Sequence, residues 1–173
     1  MAEVIDFPEQ ALRQGLSKMP IQKVVAFSCS CAEILMPSYV EFSRKFDPDE
    51  HRHRLFRHAL NLSWDIALGS PFNVDDLAVL QDQGLNAIPS EDEFPEIEGA
   101  YAEDAGAAVV FCLRVAMSED VQDAIWAARR VYDALDGPVR NFVFEAYSCP
   151  KEDVCLANRK PSRSICRRSP LNC

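Results

Sequence analysis

Apolar residues recur three and four positions apart along most of the first 140 residues, the pattern of helices that bury one face. A first helix is expected with Asp6 as its cap, Pro8 in its first turn and a run to Lys18. Pro20 opens a second through Met36, where Pro37 is expected to break it and start a third, PSYVEFSRKF. The turn Asp47-Pro48-Asp49 precedes a long helix from about Glu50 to Leu68, closed by Gly69. Asn73 caps a helix to about Leu85, and NAIPSEDEFPEIEG reads as a solvent-facing loop with two prolines and five acids. A helix over 99–117 follows. Ser118, Glu119 and Asp120 cap the next, which is expected to end at Gly137-Pro138. No hairpin turn joins two alternating runs. The pattern predicts an all-α fold: a single-domain up-and-down helical bundle of about six to seven helices over residues 1–140. FVFEAYSC reads as a short helix or strand, and residues 141–173 as a divergent, flexible Cys- and Arg-rich tail without a sustained period.

Angular position then sorts the residues that invite chemistry. At about 100° per residue, Val24, Phe27, Cys31 and Ile34 share one stripe of the second helix. Cys29 and Cys31 lie about 200° apart, so they face opposite sides and are expected to share neither a metal nor a disulfide. Glu33 sits with Gln22, Ala26 and Cys29, and is either exposed near a helix end or buried with a partner. His51, His58 and Asp65 line up on the long helix, but each is roughly 10 Å from the next, too far for joint chelation. His53 and its arginine neighbours read as a solvated, cation-rich first turn beside Asp47, Asp49 and Glu50. In the helix over 99–117, Tyr101, Ala105, Ala108, Cys112 and Val115 form the stripe, with Asp104 on its edge as a buried acid bonded to a tyrosine or an arginine. The last helix places Val121, Ala124, Ile125, Ala128, Val131 and Leu135 inward, and Gln122, Asp123, Arg129, Arg130 and Asp133 outward.

Composition narrows the function classes. The chain has 173 residues and a net charge of −9, which opposes binding to phosphate backbones and anionic lipid, so neither nucleic acid nor membrane is expected as a partner. The charge is uneven: residues up to Pro150 carry 12 basic and 25 acidic groups, −13, whereas the remainder carries six basic and two acidic, +4. The longest uncharged apolar run, Ala105 to Leu113, is far short of the ~20 residues of a membrane span, and the acidic start has no export signal, so a cytoplasmic, bacterial-type protein is expected. Seven cysteines at scattered spacings then read as reduced thiols. No phosphate loop, dinucleotide fingerprint, nucleophile elbow or Cys-His pair is present, and no cofactor, metal or catalytic residue is assigned.

A set of spaced residues carries one resemblance. The set is Phe27, Cys29, Cys31, Glu33, Pro37, Tyr39 and Phe42, then Trp64-Asp65, then Ile88, Pro89, Asp92, Phe94, Tyr101, Asp104 and Ala105. With these, residues from about 18 to 136 resemble the bacterial family catalogued as domain of unknown function 416. That likeness implies a compact, all-helical up-and-down bundle and no established activity. After Val139 the chain departs from the family's further charged helix.

Two functions are weighed. The first is a non-enzymatic acidic binding protein, immunity- or inhibitor-like or an adaptor, that engages a basic protein through Glu91, Asp92, Glu93, Glu96 and Glu98. The alternative is a small-ligand or enzymatic site inside the bundle, built from Glu33, Tyr39, Asp65, Tyr101 and Asp104, in which Glu33 and Asp104 approach each other beside a pocket. A metal or redox module ranks behind both. A homodimer is compatible with either.

Overall fold

The computed structural model describes residues 6–47, 49–90 and 92–148, with side chains described as far as Leu135. These residues form six helices and no strand: α1 (Glu9–Leu16), α2 (Ile21–Phe46), α3 (His51–Ala67), α4 (Val74–Ala87), α5 (Ile97–Ser118) and α6 (Val121–Ser148). The fold is an all-α helical bundle. The chain divides into two compact units, Met1–Pro138 and Val139–Cys173. Of the second, the described part is the helical backbone to Ser148; the remainder of the expected tail lies outside the described residues.

Contacts along each seam give the helix directions. Lys45 meets Glu98 at one end of the α2–α5 seam, and Cys29 neighbours Cys112 further along, so these helices run antiparallel. Tyr39 against Phe56 and Glu33 against Arg57 give the same sense to α2 and α3. Arg114 with Asp123, and Arg130 with Asp104, do so for α5 and α6.

At the centre lies α5. Ala102, Ala105, Ala108, Val109, Cys112, Leu113 and Val115 are all fully buried. Its run of Gly and Ala lets neighbours come close: a Cβ on Gly106 would lie 3.1 Å from Phe56 Cζ. Across the same ring, a Cβ on Gly84 of α4 would lie 3.1 Å from Val110 and 3.8 Å from Phe56 Cε1. Phe56 is thus wedged between two helices that offer hydrogen atoms where side chains would otherwise stand. Its full burial is worth about 2–3 kcal/mol.

Four local expectations are corrected. Pro37 does not break α2, which continues through it to Phe46. The ring is exposed, so the Glu33 carbonyl it leaves unbonded is on the solvent side, while Leu35, Met36, Tyr39 and Phe42 stay buried on the other. Packing of that face outweighs the lost hydrogen bond. Asp6 does not cap α1; its Oδ1 accepts the Phe7 N–H, and Pro8 takes the cap position. Gly137-Pro138 does not end α6, which runs to Ser148, since each residue is a local penalty of about 1 and about 3 kcal/mol and not a prohibition. The core stripe of α2 is also turned from the expected one: Ile34 is 58% exposed, and Val25, Cys29, Ala32, Met36 and Tyr39 hold the centre.

Other signals fall where the sequence places them. Asn73 Oδ1 accepts the Asp75 N–H as the cap of α4, Gly69 follows α3 at φ 93°, and Asp120 Oδ1 accepts the Gln122 N–H at the start of α6. By length and composition α2 also matches a membrane span, but half of its most apolar window is buried inside the bundle, as befits a core helix.

Gly99 generates a sharp prediction. A Cβ there would overlap the Phe94 carbonyl oxygen and stand 2.8 Å from Phe94 Cβ. Gly99→Ala should therefore cost about 2 kcal/mol in urea denaturation, whereas Gly15→Ala, with nothing within 4 Å, should gain about 0.5 kcal/mol from helix propensity. Equal effects from the two variants would contradict the close approach.

Candidate functional site

The five residues expected to form an internal polar cluster occupy separate places. Glu33, half-exposed on α2, accepts from Arg57 Nη1 at 2.8 and 3.1 Å and from Trp64 Nε1 at 3.3 Å, both on α3. A shallow depression of about 340 Å³ lies beside it, lined by Met36, Pro37, Val40, Glu41 and Arg57. Asp104 on α5 accepts from Arg130 Nη1 of α6 at 2.9 Å. Burial pushes its carboxyl above the usual range, and Arg130 opposes that shift. Asp65 is exposed, and Tyr101 is half-buried against the core. Among the described residues no hydrogen bond or ion pair joins any two of the five. Each carboxylate that is drawn inward is answered by an arginine of the neighbouring helix.

Tyr39 differs from the rest. It is fully buried, its ring 5.0 Å from Phe56 and 5.7 Å from Phe42, and among the described residues its hydroxyl has no hydrogen-bond partner. One turn on, the buried Ser43 hydroxyl has none either. Burial raises the Tyr39 pKa strongly, with Arg52 opposing and Asp47 adding to the rise. The phenol is neutral, enclosed and structural.

The acidic loop is fastened down more than expected. Phe94 inserts beneath it, 4.9 Å from Phe42 and 5.3 Å from Phe46, with the Arg52 guanidinium over its ring. Glu93 accepts from Arg52 at 3.0 Å and Glu98 from Lys45 at 3.1 Å. Glu98 is held below the usual range by its own backbone N–H and then by Lys45. Glu96 occupies the cap position of α5 and Asp92 stays exposed, whereas Glu91 lies outside the described residues. Two of the five acids are thereby spent on cations of the same chain.

Two placements on α6 are corrected. Asp123 is buried, not outward: at the first turn of α6 it faces the end of α5, where Arg114 Nη2 lies 3.0 Å from its Oδ1 as an ion pair. Burial raises its carboxyl, with Arg114 countering. Leu135, expected inward, is 54% exposed. Asp104 meets an arginine as expected, but the identity of each partner, Arg57, Arg114 or Arg130, has no sequence signal, because each belongs to a neighbouring helix.

The sulfur-bearing segment is helical, and Cys29, Cys31 and Cys112 are buried free thiols. Cys112 Sγ donates to the Ala108 carbonyl at 3.2 Å. Burial pushes Cys31 up to about 11, with Cys29 adding to the rise, and burial drives Cys112 up too. Among the described residues no group of three or more His, Cys, Asp or Glu is placed to hold a metal ion. No protein-family model, curated protein or solved structure matches the chain.

Two measurements check this account. Tyr39→Phe removes a buried, unpaired hydroxyl and should raise stability by about 1 kcal/mol; a loss would reveal a bonded partner. At mildly alkaline pH, Cys29, Cys31 and Cys112 should resist iodoacetamide, read by peptide mass spectrometry, and should become labelled in concentrated guanidinium. Labelling of Cys31 in the native protein would contradict its burial.

Proposed function

We propose that this is a non-enzymatic binding protein that docks a basic, amphipathic protein segment on the outer face of α4. The observation that carries the reading is the make-up of that helix. VDDLAVLQDQGLNA contains three aspartates and no lysine, arginine or histidine. Asp75, Asp76 and Asp82 are exposed and, among the described residues, have no side-chain partner, unlike Glu93 of the loop and Glu98 at the start of α5. Asp75, Val79 and Asp82 share one ridge by helical angle, flanked by exposed Val74 and Leu85. Exposed Leu68 and Phe72 continue the apolar surface at the α3–α4 corner.

Apolar side chains bordered by unpaired like charges suit a partner that brings both cations and a greasy face. The charge of −13 on the chain up to Pro150 adds long-range attraction for such a partner. The likeness to domain of unknown function 416, which implies no activity, belongs to the same reading. A ligand-binding or enzymatic site using Glu33 and Asp104 draws less support, because both carboxylates already have arginine partners in different seams.

The test is an NMR titration with a Lys/Leu amphipathic helical peptide and its Glu/Leu counterpart. The cationic peptide should shift amides of α4, with affinity falling as salt rises over the range where the Debye length shrinks below about 10 Å. Substituting Asp75, Asp76 and Asp82 together by Asn should weaken it about tenfold, with a thermal midpoint lowered only by the loss of the two acids from the first turn of α4. Shifts centred on residues 92–98 instead, or none at all, would overturn the assignment to α4.

A further inference from the structure

On this acidic protein a surface groove is lined by cations. It lies between the first two turns of α3 and the last turns of α4, with a volume of about 690 Å³. His51, Arg52, Arg54, Leu55, Gln83 and Asn86 line it, and no carboxylate is among the described lining residues. We infer that this groove binds a phosphorylated small molecule of sugar-phosphate to nucleotide size, a property independent of the docking face proposed above.

Hydrogen-bonding capacity supports the inference. Arg54 gives one bond, from Nη2 to the Asp49 carbonyl at 2.7 Å, out of the five donors of a guanidinium. Arg52 gives Nη2 to Glu93 and stacks over Phe94, which fixes its position at the groove edge. Neither ring nitrogen of His51 and no amide atom of Gln83 has a side-chain partner among the described residues, and Asn86 spends Nδ2 on the Asp82 carbonyl while keeping its oxygen as an acceptor. The lining therefore offers an excess of donors at the α3 side and mixed amides at the α4 side. That division suits a ligand with an anionic end and a polar, neutral body.

At the α3 side the side chains, more than the helix start, favour the phosphate. The 17-residue helix begins at Glu50 in the left-handed region, φ 51°, whose side chain gives no cap, and its first turn holds no acid. Asp47 already takes the Arg52 N–H at 2.9 Å, so the helix end itself is largely satisfied, and the Arg52 and Arg54 side chains are what would hold the phosphate. Leu55 and Ala87 supply apolar surface for the body of the ligand. The volume falls within the ~300–1,000 Å³ of small-molecule sites and exceeds what a bare phosphate needs.

The experiment titrates the full chain with AMP, adenosine, ribose 5-phosphate and inorganic phosphate, followed by NMR of the backbone and side-chain amides. AMP and ribose 5-phosphate should shift His51 to Arg54 together with the Gln83 and Asn86 side-chain amides; adenosine should not. Arg54→Gln should weaken AMP about tenfold, the loss of a charge-assisted pair, while Arg44→Gln, outside the groove, should not change it. Asn86→Ala should weaken the organic phosphates and leave inorganic phosphate alone. Thermal midpoints establish that the variants fold. The inference is overturned by absence of shifts with every phosphorylated probe at millimolar concentration, by equal AMP binding in Arg54→Gln, or by inorganic phosphate binding as tightly as AMP.

Discussion

The bundle depends on the smallness of α5. A helix surrounded on all sides must pack against several neighbours at once, and interior density leaves little room for misfit. Ala102, Ala105, Gly106 and Ala108 solve this by yielding space, which the large side chains of α2 and α3 then fill. Tyr39, Phe42 and Phe56 are those side chains, and Phe94 extends the aromatic stack to the loop. Large residues on the outer helices and small ones on the central helix form a single complementary arrangement. Adding one methyl to α5 is therefore felt two helices away, because Phe56 touches α4 and α5 together.

The same crowding decides where charge goes. Little polar atom area fits in the middle of α5, so its ionised groups sit on the rims: Glu98 and Asp104 towards one end and Arg114 towards the other. Each crosses a seam to an opposite charge on α2 or α6. Pairs with a third or more of their side-chain area exposed, such as Arg57–Glu33 at 36% and 38%, contribute at most about 1 kcal/mol. Burying one aromatic ring contributes more. The ion pairs thus set which turn faces which, while apolar contact holds the helices together.

Much of the fold was legible because helix starts and stops are local chemistry. Asn73, Gly69 and Asp120 act through their own backbone, so their roles can be read without knowing any neighbour. Pro37 was misread because its effect depends on the packing of the opposite face of α2, a tertiary quantity. Ile34 and Leu135 show the same boundary: periodicity gives a helix's apolar side, but not how far neighbours reach around it. The candidate site was less legible still. Glu33, Asp104 and Asp123 were visible as carboxylates, whereas their arginines belong to other helices, and pairing across a seam has no sequence spacing.

Lightly embedded, α4 gathers the polarity that the core excludes. Leu77, Leu80 and Gly84 attach it, and its remaining surface is left for solvent. Its last turn contains no cation to offset the negative end of the helix, although such a residue is worth a few tenths of a kcal/mol or more. His51, Arg52 and Arg54 of α3 stand across the groove from that turn. Arg52 is committed to Glu93, whereas Arg54 gives only one of its five donors, to the Asp49 carbonyl, and that spare capacity is what leaves the groove able to hold an anion. Along α4, then, an uncompensated acidic face and a cation-lined edge follow from one cause: a helix too lightly buried to need partners of its own, set beside one whose first turns are rich in them.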